Sequence, residues 1–482
     1  MRALAANILI VTLLAACTPT VDNIVPTNTD LAIYPDYKSV TVPCNIAPIN
    51  FSVADSISID AVVIEWRNGK LTAKVSDNCT QIGIEQWHKL LAANLGDSLR
   101  FTLCRKADGK WLGYKPFSVF VSPDSVDKTL VYRLIPPGYE IWNRMGIYQR
   151  DLETYCEQAI YENRYGKGNC VNCHSFCANN PDHFMLHVRV NMSGTYTFTN
   201  GKIGRVAGDF SQFAANPTYP YWHPDGKHIA FSLNKIYQDF HTADPNIIEV
   251  YDDVSDVIVF DTENQKIIHS PLTCSKESFE TFPCFSPDGK WLYFCTSQAL
   301  DSVKWNYTKA HYSICRIGFD AEKGEFGTSV DTIVNAAAMG KTASFPRISP
   351  DGRFLLYTLS DYGNFSIWHR EADLKMIDLE TGDSVDISNI NSTLTESYHS
   401  WSSNSRWVVF SSRRGDGLYT RPYLAHIDSN GTPSKPMLLP QQNPQKYYTE
   451  LFYSYNIPEL VKSEVELSAR KTDLLIRGMQ KK

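Results

Sequence analysis

The densest concentration of chemically capable side chains lies between positions 156 and 177, where Cys156, Cys170, Cys173 and Cys177 fall among the chain's 12 cysteines. Within it, Cys170-Val171-Asn172-Cys173-His174 has the spacing C-x-x-C-H. Two thiols so spaced can add to the two vinyl groups of one haem, and the adjacent imidazole can ligate its iron from the proximal side. A low-spin iron also takes a sixth ligand, and His183, Met185, His187 and Met192 lie just downstream, with nothing in the sequence to choose among them. The same residues have two other uses. Cys170, Cys173, His174 and Cys177, with Cys156 as a further donor, could close a tetrahedral zinc site, although adjacent ligands at 173 and 174 are awkward around one ion. Alternatively the four thiols form two disulfides, of a connectivity the sequence leaves open, and His174 is a bystander; under the haem reading Cys177 lies outside the motif, and a disulfide to Cys156 would account for its closeness.

Over this short stretch the chain resembles the attachment site of c-type cytochromes. That resemblance implies haem c, with Cys170 and Cys173 as thioether positions and His174 as proximal ligand. The N-terminus fits such chemistry. Met1-Arg2 is followed by an apolar segment from Leu4 to Leu14, of the length of a secretory signal. It ends in Leu14-Ala15-Ala16-Cys17, which resembles the lipobox of bacterial lipoproteins and implies lipidation of Cys17 at the mature N-terminus. The expected location is extracytoplasmic, anchored to a membrane by lipid, at the outer membrane or the periplasmic face. Thr18 to Asp30 is rich in Pro, Thr, Asn and Asp and reads as a tether. Without Cys17 eleven cysteines remain, an odd number, so at least one is not in an internal disulfide.

These residues need elements to hold them, and the second half of the chain supplies a repeat. Tyr219-Pro220-Tyr221-Trp222-His223-Pro224-Asp225-Gly226-Lys227, Phe282-Pro283-Cys284-Phe285-Ser286-Pro287-Asp288-Gly289-Lys290, Phe345-Pro346-Arg347-Ile348-Ser349-Pro350-Asp351-Gly352-Arg353 and Tyr398-His399-Ser400-Trp401-Ser402-Ser403-Asn404-Ser405-Arg406 align, each followed by aromatic and β-branched residues. The turn Asp or Asn recurs at 225, 288, 351 and 404. Each unit reads as a β-hairpin about a tight turn, with Pro presetting one dihedral and Gly accepting a positive φ. A second turn cue follows at Asp261, Asp320, Asp378 and Asp428, so each unit holds two hairpins, the four-stranded blade of a β-propeller. The repeats resemble the TolB-like (PD40, WD40-like) propeller family, whose turn is Ser-Pro-Asp-Gly-Lys/Arg. His223 replaces the Ser in the first unit, and the fourth has decayed. Four blades are visible. His187 to Gly204 with its Asn200-Gly201 turn, and Tyr447 to Ile457, could bring the number to five or six. The resemblance implies a scaffold that binds a protein, peptide, glycan or other ligand rather than a reaction.

Before the cysteines, Ala61–Trp66, Leu71–Val75, Leu99–Cys104 and Phe117–Val121 alternate like strands, with a short amphipathic helix over 83–94, and suggest a β-sandwich-like domain. From Pro136 to Arg164 the spacing of Trp142, Met145, Tyr148 and Leu152 predicts helices leading into the C-x-x-C-H segment. The expected organisation is a signal peptide (1–16), tether (17–44), β-sandwich-like domain (45–130), helical haem-c-like segment (131–182), propeller (183–460) and C-terminal tail (461–482). The long insertion from Leu233 to Asp256, with Asp239, Asp244, Glu249, Asp252, Asp253 and Asp256, reads as a solvated acidic loop at one rim, with cation binding as the alternative. A net charge of −6 leaves no electrostatic footprint for nucleic acid. No catalytic residues are assigned. Gly96-Asp97-Ser98-Leu99 matches a short esterase motif, but its strand and helix are in the wrong order, and no G-x-S-x-G elbow is present. Two functions follow as expectations: an electron-transfer or redox-partner module carrying haem c, or a non-redox binding propeller whose cysteine cluster is structural.

Overall fold

The computed structural model describes residues 20–54, 56–136, 144–166, 168–213 and 215–480. Cys17, with its lipobox, lies outside them, as does Trp142. The protein is mainly β. Among the described residues, six four-stranded antiparallel sheets form the blades of a propeller, and in blades 2 to 6 the first strand is innermost. Blade 2 is Cys170–Phe176, His183–Arg189, Gly194–Thr199 and Lys202–Arg205. Blades 3 to 6 begin with the inner strands Pro217–Trp222, Ser278–Phe285, Thr342–Ile348 and Glu396–Trp401. Blade 1 closes the ring. Its strands Thr129–Ile135, Gly146–Asp151 and Glu157–Glu162 are completed by Ser454–Val461 from the far end of the chain, which pairs antiparallel with Thr129–Ile135 as the innermost strand.

The Ser-Pro-Asp-Gly turns hold by a common hydrogen-bond pattern. Ser286 Oγ donates to Asp288 Oδ1 at 2.6 Å and accepts the Trp291 N–H at 3.0 Å. Ser349 and Ser402 repeat both contacts with Asp351 and Phe354, and with Asn404 and Trp407, so the fourth unit keeps its turn without Pro or Gly. The Asn200-Gly201 turn joins the two outer strands of blade 2 with φ of 49° and 75°, the left-handed pair that matches strand twist.

Three expectations change. The segment over 136–164 is not helical where described: Gly146–Asp151 and Glu157–Glu162 are strands, and the C-x-x-C-H motif itself is the inner strand Cys170–Phe176. Gly146–Asp151 is covered on both faces, with Ile147, Gln149 and Arg150 all buried, so it lacks the strict alternation that marks a half-exposed strand. The tether is ordered from its early residues: Val25–Pro26, Ile33–Tyr34 and Thr41–Val42 are strands of the N-terminal sheet, and Leu31, Tyr37 and Val42 are buried. The C-terminal tail is not free: the helix Ala469–Gln480 buries Ile476 against blades 1 and 2.

The strands of the N-terminal region are joined in one ten-stranded sheet, with the helix Ile84–Ala92 burying Trp87, Leu90 and Leu91 against its core. Its core is continuous with blades 1 and 6 through Trp407, Leu438 and Tyr455. Trp407 Nε1 donates to Asp124 O at 3.1 Å, and Asp127 receives both the backbone N–H and the hydroxyl of Ser403. Ring closure rests on the same apolar packing. Leu460 is 1% exposed on the closing strand, whereas Leu474 on the terminal helix is 61% exposed. Leu460→Ala should therefore lower the unfolding free energy by about 2–5 kcal/mol in urea titration. Leu474→Ala should change it by no more than about 0.5 kcal/mol.

Candidate functional site

The inner strands converge on the axis, and the sequence makes each one bulge there. The ladder between first and second strands skips register between Thr218 and Tyr221, Thr281 and Cys284, Ser344 and Arg347, and Ser397 and Ser400. At each skip a bulky residue takes left-handed backbone: Tyr219 (φ 45°), Phe282 (51°), Phe345 (53°) and Tyr398 (47°), joined by Ile457 (51°) on the closing strand. Such dihedrals are unfavourable for residues with a Cβ and recur at sites where the surrounding structure imposes them. Here they turn the ring side chains onto the axis. Tyr219, Phe282, Phe345 and Tyr398 meet edge-on or stacked with centroids 3.9–5.0 Å apart and plug the channel.

Two residues after each left-handed position come Tyr221, Cys284, Arg347, Ser400 and Glu459; blade 2, whose register skips earlier, between Val171 and Cys173, and without left-handed backbone, places Ser175 at the equivalent position. The equivalence shows in the packing. Trp222 Nε1 donates to Ser175 O and Trp401 Nε1 to Arg347 O, both at 3.2 Å, each tryptophan reaching the same position on the preceding blade. Cys173-His174-Ser175-Phe176-Cys177 is therefore the blade-2 copy of Phe282-Pro283-Cys284-Phe285-Ser286, with Cys-His standing where other blades carry aromatic-Pro. The blade-2 hairpin is one residue longer: Phe176 pairs with Phe184, whereas Phe285 pairs with Leu292.

Between the aromatic plug and the turns lies a cavity of about 110 Å³, lined by Cys173, His174, Tyr221, Arg347, His399 and Glu459 among others. His174 is buried and has no hydrogen-bond partner on either nitrogen. Its Nε2 is 3.5 Å from Glu459 Oε1, a distance at which ions pair. Burial, however, drives the imidazole down to about 3 and the carboxyl up to about 8, so the two face each other neutral at pH 7. Burial also takes His399 down to about 3. Glu459 accepts the Phe176 N–H at 3.1 Å and keeps 20% of its side chain open. Arg347 is then the charged group of the ring. Its Nη1 donates to the neighbouring Pro346 O at 2.8 Å, its guanidinium lies 5.1 Å from the Tyr221 ring centre, and no carboxylate pairs with it among the described residues.

The C-x-x-C-H residues do not fit a haem. Cys173 and His174 are 2% exposed each, on a strand locked between blades 1 and 3. The cavity they line, about 110 Å³, is well below the ~300 Å³ at which pockets begin to take drug-sized ligands. His183, Met185, His187 and Met192 do not join His174 in that cavity. His183 packs edge-on against Trp222, Met185 is in the blade core, His187 Nδ1 lies 2.8 Å from Thr195 Oγ1, and Met192 sits in a hairpin. Nor do Cys156, Cys170, Cys173, His174 and Cys177 converge on a zinc position: among the described residues the metal-competent group is His223, Asp225 and His228. The eleven described cysteines are all free; Cys156 is exposed, while Cys177 is buried beside His223 O.

The acidic insertion is a pair of long strands, His228–Phe240 and Ile248–Asp261. Two of its acids are buried rather than solvated: Asp252, raised by burial to about 7, accepts from Asn234 and Asn364, and Glu249 Oε1 is 3.4 Å from His369 Nε2. A wider cleft of about 820 Å³ lies at the other end of the inner strands, between blades 2 and 3, edged by Arg189, Arg205 and Lys235.

No protein-family model and no curated protein matches the sequence. Solved structures show a resemblance of shape only. The periplasmic gluconolactonase of Pseudomonas aeruginosa is 12% identical over 69% of this chain and 99% of its own, with a TM-score of 0.37. Oligogalacturonate lyase of Vibrio parahaemolyticus is 10% identical over 62% and 92%, at 0.34. A prolyl endopeptidase is 12% identical over 57% and 37%, at 0.35, so this chain spans little more than a third of that enzyme.

Proposed function

We propose that the protein is an extracytoplasmic binding module, tethered by a lipid on Cys17, whose propeller receives the carboxylate tip of a protein partner at the mouth of its channel. The observation that carries this reading is Arg347, a cation in a ring of otherwise neutral groups, partly buried, stacked near Tyr221 and without a carboxylate of its own. A volume of about 110 Å³ admits a carboxylate and a few carbons, not a whole metabolite, so the remainder of the ligand would rest on the turn rim. The left-handed bulges fix this ring rigidly, which suits recognition.

N-acetylglycine and its amide are suitable probes. The acid should bind and the amide should not, and Arg347→Gln should weaken the acid by about 10- to 100-fold, the worth of a charged hydrogen bond. Equal binding of acid and amide, read by calorimetry, would sink the proposal. Binding should also fall as pH rises through about 8, where Glu459 ionises beside Arg347, and Glu459→Gln should abolish that dependence.

The same carboxyl gives a stability signature. Its pKa is raised from 4.5 to about 8 on folding, so the native state holds a proton that the unfolded chain has lost, and stability declines with rising pH across that window. His174 and His399, lowered from 6.5 to about 3, act in the opposite sense: their contribution is lost as pH falls from 6.5 towards 3. Urea unfolding of Glu459→Gln should show a flatter alkaline limb than the parent.

The second reading, haem c on Cys170 and Cys173 with His174 as proximal ligand, is separable by one stain. Produced with its leader in a host that matures a control cytochrome, the protein should give no haem colour after a denaturing gel. Colour would mean that the inner strand of blade 2 leaves the ring to take the cofactor, and would replace the binding-module reading with a redox one.

A further inference from the structure

The first repeat departs from the others at two positions of its turn, and both departures are histidines. His223 stands where Ser286, Ser349 and Ser402 stand, and His228 where Trp291, Phe354 and Trp407 stand. Both converge on the turn carboxylate between them: His223 Nδ1 is 2.9 Å from Asp225 Oδ1, and His228 Nδ1 is 2.7 Å from Asp225 Oδ2. The three donor atoms lie within 4.8 Å of one another.

The protonation of His223 is fixed by its surroundings. Its Nε2 is 3.0 Å from the Gly289 carbonyl oxygen, which can only accept, so Nε2 carries a hydrogen. Gly289, at φ 72°, makes this approach possible: a Cβ there would lie 2.3 Å from Nε2. In the neutral ring Nδ1 then presents a lone pair to a carboxylate oxygen at 2.9 Å. The Asp225 N–H donates to Nδ1 at 3.1 Å, and Asp225 Oδ1 accepts the Lys227 N–H at 2.8 Å and the His228 N–H at 3.1 Å, so the backbone offsets part of that repulsion. A proton or a metal ion placed between ring and carboxylate would be held by both. Ligands about 2.0–2.1 Å from a tetrahedral ion are about 3.3 Å apart, so the 2.9 and 2.7 Å contacts would open by about half an ångström on loading.

The outer group of His223 matches that of a metal-binding histidine. A ligating histidine commonly gives its other nitrogen to a carbonyl or carboxylate. Here His223 gives Nε2 to Gly289 O, while His228 Nε2 faces Asp261 Oδ2 at 4.0 Å, beyond hydrogen-bond distance. Phe285 and Phe319 pack against the rings, and both histidine side chains are 7% exposed. Asp225 opens the site to solvent with 26% of its side chain exposed, leaving room for water on the fourth side. The geometry points to a binding site for a divalent transition-metal ion of the zinc class, held by His223, Asp225 and His228 at the blade-3 turn. Two imidazoles and a carboxylate favour zinc and its neighbours over calcium or magnesium, which prefer oxygen donors throughout.

The repeat supplies the test variants. His223→Ser and His228→Phe restore residues that other blades carry, so each should fold, with a melting temperature in EDTA close to the parent's. Stripped of metal, the full chain should bind one more equivalent of Zn²⁺ than either variant in calorimetry. Co²⁺ in that site should show ligand-field bands without a thiolate charge-transfer band, which excludes the free cysteines as its ligands. Equal Zn²⁺ stoichiometry in all three proteins would overturn the assignment. A thiolate band on the differential equivalent would also overturn it.

Discussion

Six twisted sheets set around an axis leave little room where their inner edges meet, and an ordinary extended strand would send alternate side chains back into its own blade at that level. The bulge solves this by inserting one residue and turning the chain through left-handed backbone. Its cost is about 1–2 kcal/mol for each non-glycine residue so held, offset by aromatic side chains that stack on the axis. Tyr219, Phe282, Phe345 and Tyr398 satisfy both demands at once. Everything in the channel follows from that constraint. The residue after the bulge is Pro at 220, 283, 346 and 458 and His at 399, and the next one varies where it faces the cavity. Variation is therefore concentrated at one level, where Tyr221, Arg347, Ser400 and Glu459 differ in size and charge while the scaffold stays the same.

This separation explains what could be read in advance. The hairpin turns were legible because their chemistry is local: Ser, Asp and Gly within five residues fix both the hydrogen bonds and the positive φ. Blade 1 was not legible. Gly146–Asp151 is a strand because Thr129–Ile135 lies beside it, and that strand is placed by Ser454–Val461, more than three hundred residues away. Met145, Tyr148 and Leu152 have helical spacing only in the absence of that partner.

Blade 2 shows the opposite hazard, a local signal that was too short. C-x-x-C-H occupies five residues, and two of them sit at repeat positions normally held by an aromatic and a proline. The aligned Phe176, the Pro181-Asp182 pair ahead of the second strand, and Asn200-Gly201 together carried the blade signature. One extra residue in the hairpin displaced them from the register of the other units. The buried cysteine and histidine are then replacements at the axis, where His399 in blade 6 makes the same exchange for proline.

Buried polar groups elsewhere follow a comparable logic. Asp252 and Glu249 belong to strands that extend beyond the blade, and their acidity suggested solvent. Packing carries them inward instead, where Asn234, Asn364 and His369 supply the partners that burial demands. In each of these places the informative residue is the one that breaks the repeat while the backbone keeps it. Where His223 replaces the serine that closes a turn, the backbone N–H groups of Lys227 and His228 still hold the turn carboxylate. A neutral ring residue can be exchanged for arginine only if the charge finds a counterpart, within the protein or on a ligand. Arg347 lacks such a counterpart in the described chain, whereas Arg353, six residues on, pairs with Asp378 at 2.9 Å. Two arginines on one blade thus stand in different surroundings, one in an ion pair and one in the channel beside the buried Glu459 carboxyl.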